Sequence, residues 1–103
     1  MSSIAQCIYD IQRYQNLRKK IKAIIIKLDS ASEYVSKIDF EIKTSYKVNG
    51  NSAIISEQTT DLKNKIEDTS HFLRKTVLPS IGYSLDNTRA QLQSLREQEE
   101  ANS

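Results

Sequence analysis

The chain has 103 residues, of which two are glycine and one is proline, and its formal net charge is +2. So few turn-forming residues exclude an all-β domain, and so small a net charge gives no electrostatic case for binding nucleic acid. A single cysteine excludes an internal disulfide and any multi-cysteine metal site.

The first half of the chain repeats apolar residues every seven positions. One row comprises Cys7, Tyr14, Ile21, Leu28, Val35 and Ile42, and a second comprises Leu17, Ile24, Ala31 and Ile38. This period predicts one long helix, over about residues 3–47, that packs against other helices. At a rise of about 1.5 Å per residue the helix is roughly 65 Å long and cannot bury its own stripe. We therefore predict a partner-binding face that comprises Tyr14, Leu17, Ile21, Ile24, Leu28, Val35, Ile38 and Ile42.

Further isoleucines widen this apolar face on one side. These neighbours of the stripe are Ile4, Ile8, Ile11 and Ile25. A two-stranded coiled coil needs only a narrow apolar seam, so the extra width favours a third and a fourth helix. We predict association into a four-helix or larger bundle.

A reversal of the chain is predicted near its midpoint. The segment Val48-Asn49-Gly50 is followed by the polar residues Asn51 and Ser52. Asn and Gly accept positive φ, Gly commonly ends a helix, and Asn51 or Ser52 can cap the helix that follows. The two arms are nearly equal in length, as an antiparallel two-helix hairpin requires. The expected fold is therefore all-α, in a single domain over residues 1–103.

The second arm is predicted to be helical over about residues 53–97. Its apolar positions are Ile55, Leu62, Ile66, Thr69, Leu73 and Val77, followed by Ile81, Leu85, Thr88, Leu92 and Leu95. Because proline removes a helical hydrogen bond and clashes with the preceding turn, Pro79 predicts a kink near residues 78–82 that does not end the helix. The polar tail over residues 97–103 is expected to fray.

No constellation of residues points to catalysis. A nucleophilic Cys-His pair needs the two side chains in contact, but in an antiparallel hairpin Cys7 lies opposite residues 90–95 and far from His71, the one histidine. The sequence also lacks a glycine-rich phosphate loop and the spacing of metal ligands. We predict a non-enzymatic protein that needs no cofactor.

No signal peptide or membrane span is predicted. Polar residues interrupt the first 17 positions, and the longest apolar run is Ala23–Ile26, whereas a membrane-spanning helix needs roughly 20 apolar residues. We therefore expect no stable insertion into a membrane. The protein either stays in the cytoplasm or leaves it by a route without a cleaved signal.

Two long helices, the Val48-Asn49-Gly50 reversal and the small residues Ser52 and Ala53 after it resemble the small WxG-type helical-hairpin proteins of bacterial type VII secretion. In that family a Trp-x-Gly motif forms the reversal, and here Val48 stands in the place of the tryptophan. The resemblance implies a bacterial protein that is cytoplasmic or secreted without a cleaved signal peptide.

The family's export signal is Tyr-x-x-x-Asp/Glu, late in the second helix. Its nearest match here is Tyr83 with Asp86, one position early, and Asn87 at the expected place. With this incomplete signal, the chain is similar to a subclass of small helical proteins, the targeting partners of LXG toxins. These bind the toxin's amino-terminal helical domain and help to present it for export. The resemblance thus implies an LXG-type toxin, or another small helical secretion protein, as the partner.

A second class of function also satisfies the heptad stripe. The chain could be a self-associating coiled-coil subunit of a larger structure, for example a homodimeric four-helix bundle. Co-expression with a neighbouring LXG gene product would distinguish the two, because a 1:1 complex should then replace the homo-oligomer.

Overall fold

The protein is all-α, as the sequence predicts. A computed structural model describes residues 3–45 and 50–102, and within these ranges there is no β-strand. Helix α1 (Ser3–Ser45) is followed by α2 (Gly50–Phe72), a π-helical turn (Leu73–Val77) and α3 (Leu78–Ala101). Of the predicted reversal, Val48 and Asn49 lie outside the described residues and Gly50 is the first residue of α2. Residues 46 and 47, where the first helix is predicted to end, also lie outside the described residues.

Two predicted helix ends need correction. The second arm begins at Gly50 instead of residue 53 and ends at Ala101 instead of residue 97. Arg, Gln and Glu dominate the last turns and are strong helix formers, which agrees with helix as far as Ala101; fraying of the tail over residues 97–103 stays a prediction. The backbone N–H of Asn102 then donates to the carbonyl of Gln98 at 3.1 Å.

The helices pack in two compact units. The first combines α1 as far as Lys22 with the chain from Lys75 onward, and the second comprises Ala23–Arg74. In the second unit, residues later in α1 contact residues earlier in α2. Hydrogen bonds join Asp39 to Ser56, Ser32 to Glu67 and Asp29 to Ser70. This order confirms an antiparallel hairpin, whereas association into a larger bundle stays a prediction.

Helix α1 turns two regular rows of residues inward. The Cys7 row (Cys7, Tyr14, Ile21, Leu28, Val35 and Ile42) and the Ile4 row (Ile4, Ile11, Arg18, Ile25, Ser32 and Asp39) are buried or half-buried throughout. Three members of the Leu17 row (Leu17, Ile24, Ala31 and Ile38) are exposed, and only Ala31 is half-buried. Of the isoleucines that widened the stripe in the sequence, Ile4, Ile11 and Ile25 therefore belong to the seam, the inward face of α1, whereas Ile8 is exposed.

The second arm also buries residues other than those its apolar pattern predicts. Ile55, Leu62 and Thr69 are exposed. The Ser56 row (Ser56, Lys63, Ser70 and Val77), which is largely polar, faces inward instead, beside the Thr59 row (Thr59, Ile66 and Leu73), which includes the predicted Ile66 and Leu73. The reason is chemical, because the inward residues of α1 at this level include Asp39 and Ser32, which need polar partners.

The heptad spacing of buried residues in the second arm is interrupted once, at the π-helical turn. Continued from Ser70 and Leu73 through Val77, the spacing would bury residues 80, 84, 87, 91 and 94. The buried residues are instead Ile81, Leu85 and Leu92, with Thr88 and Leu95 half-buried, each one position later; of the residues at the uninterrupted spacing, Ser84 alone is half-buried and the other four are exposed. A π turn holds one more residue than an α turn, so the turn at Leu73–Val77 absorbs the extra residue.

The departure from α geometry lies before the predicted kink position. It occupies Leu73–Val77, while Pro79 itself lies in the first turn of α3. Proline tolerates a first turn, where its missing N–H has no partner to lose, and its ring clashes with the residue four positions back. The departure from α geometry therefore lies in the preceding turn, and the helical chain continues through Pro79 as expected.

Candidate interaction surface

A network of polar contacts covers one side of the second unit. The hydroxyl of Ser70 donates to Asp29 Oδ1 at 2.9 Å, and the Arg74 guanidinium pairs with the other oxygen of the same carboxylate. One turn further along α1, the hydroxyl of Ser32 donates to Glu67 Oε1 at 3.1 Å. These contacts tie α1 to the second arm along its polar side.

The same pattern recurs nearer the reversal. The hydroxyl of Ser56 donates to Asp39 Oδ1 at 2.8 Å, and Lys43 Nζ lies 2.8 Å from Asp39 Oδ2. Hydrogen bonds from Ser70 and Arg74 lower the pKa of the Asp29 carboxyl, and those from Lys43 and Ser56 lower that of Asp39. The Asp29 carboxylate is thus kept ionised by residues of the second arm, and the Asp39 carboxylate by Lys43 of its own helix and Ser56 of the second arm.

Sequence reasoning missed these polar residues because it followed apolar side chains alone. Ser56, Lys63 and Ser70 recur every seven positions, as do Ser32 and Asp39. That spacing was a usable signal, since polar residues at heptad spacing on two facing helices can satisfy one another across a seam.

The side of each helix can be assigned from these contacts. In the sequence, Asp29 is the residue after Leu28 of the Cys7 row, and Arg74 is the residue after Leu73 of the Thr59 row. In an antiparallel helix pair the corresponding flanks of the two helices lie on the same side, and the Asp29–Arg74 ion pair agrees with this. We call this side of the second unit the polar flank; it comprises Asp29, Ser36, Lys43, Thr60, Glu67 and Arg74.

The opposite side of the second unit is apolar. On each helix it is formed by the residues that come one position earlier in the sequence than the members of an inward row, the Ile4 row on α1 and the Ser56 row on α2. We give the name apolar flank to its five apolar members, Ile24, Ala31, Ile38, Ile55 and Leu62; the sixth residue on this side, Thr69, is polar and exposed. Four of the five are exposed, with 44% of Ile24 and 51% of Leu62 accessible to solvent. Nothing within the described residues covers this flank, and every cross-arm hydrogen bond described above lies in the seam or on the polar flank.

The predicted partner-binding face divides into two groups. Val35 is buried and Tyr14, Ile21, Leu28 and Ile42 are half-buried, and all five belong to the Cys7 row in the seam. Leu17, Ile24 and Ile38 are exposed. Of the eight predicted residues, these three are the most available to another molecule, and Ile24 and Ile38 belong to the apolar flank.

The two residues of the predicted export signal lie on the surface of the first unit. Tyr83 is 72% exposed, and Asp86 is also exposed. Leu85 between them is fully buried and anchors this stretch of α3. The Tyr83 ring is therefore available to a receptor, which is a condition for a signal but does not test one.

The two titratable residues that sequence analysis considered for catalysis belong to different units. Cys7 is buried in the first unit, and His71 is exposed in the second. Within residues 3–45 and 50–102, no group of three or more His, Cys, Asp or Glu side chains could hold a metal ion. No helix in the same ranges has the length and apolar character needed to cross a membrane.

Comparisons with known proteins identified no relative of this chain. No protein-family model matches the chain, and no curated protein or solved structure matches it either.

Proposed function

We propose that this chain is a non-enzymatic helix-binding protein whose apolar flank packs against amphipathic helices of a partner. The observation that carries the proposal is the contrast between the two sides of the second unit. Its polar flank is tied by Asp29, Ser70 and Arg74 across the arms, whereas Ile24, Ile38 and Leu62 on the apolar flank are exposed.

The spacing of the exposed residues supports a helical partner. Single exposed apolar side chains are common on any protein and need no explanation. Here exposed apolar residues follow heptad spacing on both helices of one flank, as Ile24 and Ile38 on either side of the half-buried Ala31 on α1 and as Ile55 and Leu62 on α2. A helix that packs between two such rows buries both of them, and burial of apolar area supplies most of the affinity in this mode of recognition.

The proposed partner is the amino-terminal helical domain of an LXG-type toxin, which this chain would help to target for export. Support comes from the resemblance to WxG-type proteins in the Val48-Asn49-Gly50 segment, from the helical hairpin and from the exposed Tyr83. In this role the chain contributes two helices to a bundle that the toxin's own helices complete.

The test is co-expression of the full chain with a neighbouring LXG gene product, followed by co-purification. Ile24→Gln combined with Ile38→Gln should weaken the 1:1 complex at least tenfold, because two apolar contacts of roughly 1 kcal/mol each are lost. Ile26→Gln is the matched control, since Ile26 is 67% exposed but lies off the apolar flank. A complex that withstands the double substitution would contradict the proposal.

A homodimeric bundle is the second candidate, and one observation favours it. The α1 part of the apolar flank reads Ile24, Ala31, Ile38, which is symmetric about the small Ala31. The same row of an antiparallel second copy would therefore match it. Sedimentation velocity of the chain alone decides: a dimer that Ile38→Gln dissociates and Ile26→Gln does not would support this candidate.

A further inference from the structure

We propose that the helix that packs on the apolar flank carries acidic residues along the edges of its apolar stripe. The inference rests on the proposed function, and it adds the chemistry of the partner. It comes from the charged residues that border the apolar flank on its outer edges, Lys27 on α1 and Lys65 on α2, both of which are exposed.

Their positions follow from helical spacing. Lys27 lies three residues after Ile24 and four before Ala31, and Lys65 lies three residues after Leu62. Residues three and four apart are neighbours on a helix surface, so each ammonium group borders the apolar row of its own helix. A helix that occupies the flank passes between these two lysines.

Neither lysine is neutralised within the second unit. Lys43, Lys63 and Arg74 each pair with a carboxylate, at Asp39, Glu67 and Asp29 respectively. No ion pair joins the Lys27 or Lys65 ammonium to another described residue. Within the second unit, the cations of the seam and of the polar flank thus have carboxylate partners, whereas Lys27 and Lys65 beside the apolar flank form no ion pair with a described residue.

One acid also borders the apolar flank. Glu41 lies three residues after Ile38, at the end of α1 nearest the reversal, and the remaining edge positions are occupied by Gln58, Tyr34 and Phe72. The edges therefore carry two cations and one anion. A second copy of this chain would bring two more lysines and only one acid to the interface, so at least one lysine of each copy would lack a carboxylate. An acidic amphipathic helix satisfies both lysines at once.

The expected selectivity is modest because the contacts are exposed. Surface ion pairs contribute roughly 0.2–1 kcal/mol each, so two pairs change the dissociation constant by about two- to thirtyfold. Screening by salt should reduce this factor, since the pairs are accessible to solvent. The apolar contacts should keep most of their strength.

The experiment uses two fluorescein-labelled synthetic helical peptides of about three heptads with the same leucine stripe. One peptide has Glu and the other has Lys at the positions that border the stripe. Fluorescence anisotropy with the full-length chain should show tighter binding of the Glu peptide at about 50 mM salt, and a smaller difference at about 300 mM. Lys27→Glu combined with Lys65→Glu should reverse the preference.

The matched control is Lys37→Glu, an exposed lysine of α1 that does not border the apolar flank. It should leave the preference in place; if it shifts the preference as much as Lys27→Glu does, net charge is responsible and the inference is overturned. Equal binding of both peptides, weakened equally by Ile24→Gln with Ile38→Gln, also overturns the inference but leaves the proposed function standing. If neither peptide binds and sedimentation shows a dimer that Ile38→Gln dissociates, a second copy covers the flank and both are overturned.

Discussion

The extra residue in the second arm leads to a prediction about chain length. Buried positions after Val77 come one residue later than heptad spacing requires, and the π-helical turn at Leu73–Val77 contains the surplus. Removing one residue from this turn should let an ordinary α-helix present the same side chains inward. Lys75 is the residue to delete, because its side chain is exposed and lies in no ion pair among the described residues.

Deletion of Lys75 changes few buried contacts. Leu78, which is half-buried, moves into the heptad position of Val77, and Ile81, Leu85 and the later residues regain regular spacing with those before the turn. The deletion should be made together with Pro79→Ala, since proline within an uninterrupted helix would add a cost of about 3 kcal/mol. Relative to Pro79→Ala alone, we expect the free energy of unfolding to change by less than about 1 kcal/mol.

Deletion of Lys65 in the same Pro79→Ala background is the matched control. It turns the following segment by about 100° about the helix axis, which moves Ile66, Ser70, Leu73 and Val77 away from the seam. Three half-buried apolar side chains then lose part of their burial, at a cost of about 2–4 kcal/mol in total. The Ser70 and Arg74 contacts to Asp29 are lost as well.

Guanidinium denaturation followed by far-UV circular dichroism measures both deletions. The result that refutes the reasoning is a loss of stability for the Lys75 deletion as large as that for the Lys65 deletion. The π turn would then be required for a reason other than the surplus residue.

Three further predictions concern single positions. Gly82→Ala should raise the free energy of unfolding by about 0.5–1 kcal/mol and the melting temperature by roughly 2–8 °C, because Gly82 lies within α3 and an added Cβ would meet nothing within 4 Å; a lower melting temperature would show that the site lacks this space. The lowered pKa values of Asp29 and Asp39 mean that their stabilising contacts are complete above the usual carboxyl pKa of 3.8 and are lost as the pH falls below it. Acid titration of Asp29→Asn with Asp39→Asn should therefore show a shallower loss of stability than the parent chain, and identical acid profiles would contradict the assignment. If Tyr83 and Asp86 act as an export signal, Tyr83→Ala with Asp86→Ala should spare binding of the co-expressed toxin and abolish its export; loss of binding would instead place Tyr83 in the packing interface, and normal export would remove any signal role.

The sequence by itself determined that the chain is helical and roughly where its helices run. Heptad spacing from Cys7 to Ile42 is sufficient for one long helix, because only a helix places such residues on one face. Pro79 likewise predicted a local departure from α geometry, because the ring of a proline clashes with the preceding turn of a helix in any sequence.

Only the tertiary structure decided which rows face inward. The Leu17 row and the Ile4 row lie on either side of the Cys7 row; the Leu17 row is the more apolar, yet the Ile4 row is the one that lies in the seam. Ser32 and Asp39 face inward, half-buried, because Glu67 and Ser56 of the other arm form hydrogen bonds with them. Hydrogen bonds between residues distant in sequence thus help to determine which row faces inward, and the hydrophobic pattern alone does not contain this information. The apolar flank is the consequence, since the row displaced from the seam remains on the surface.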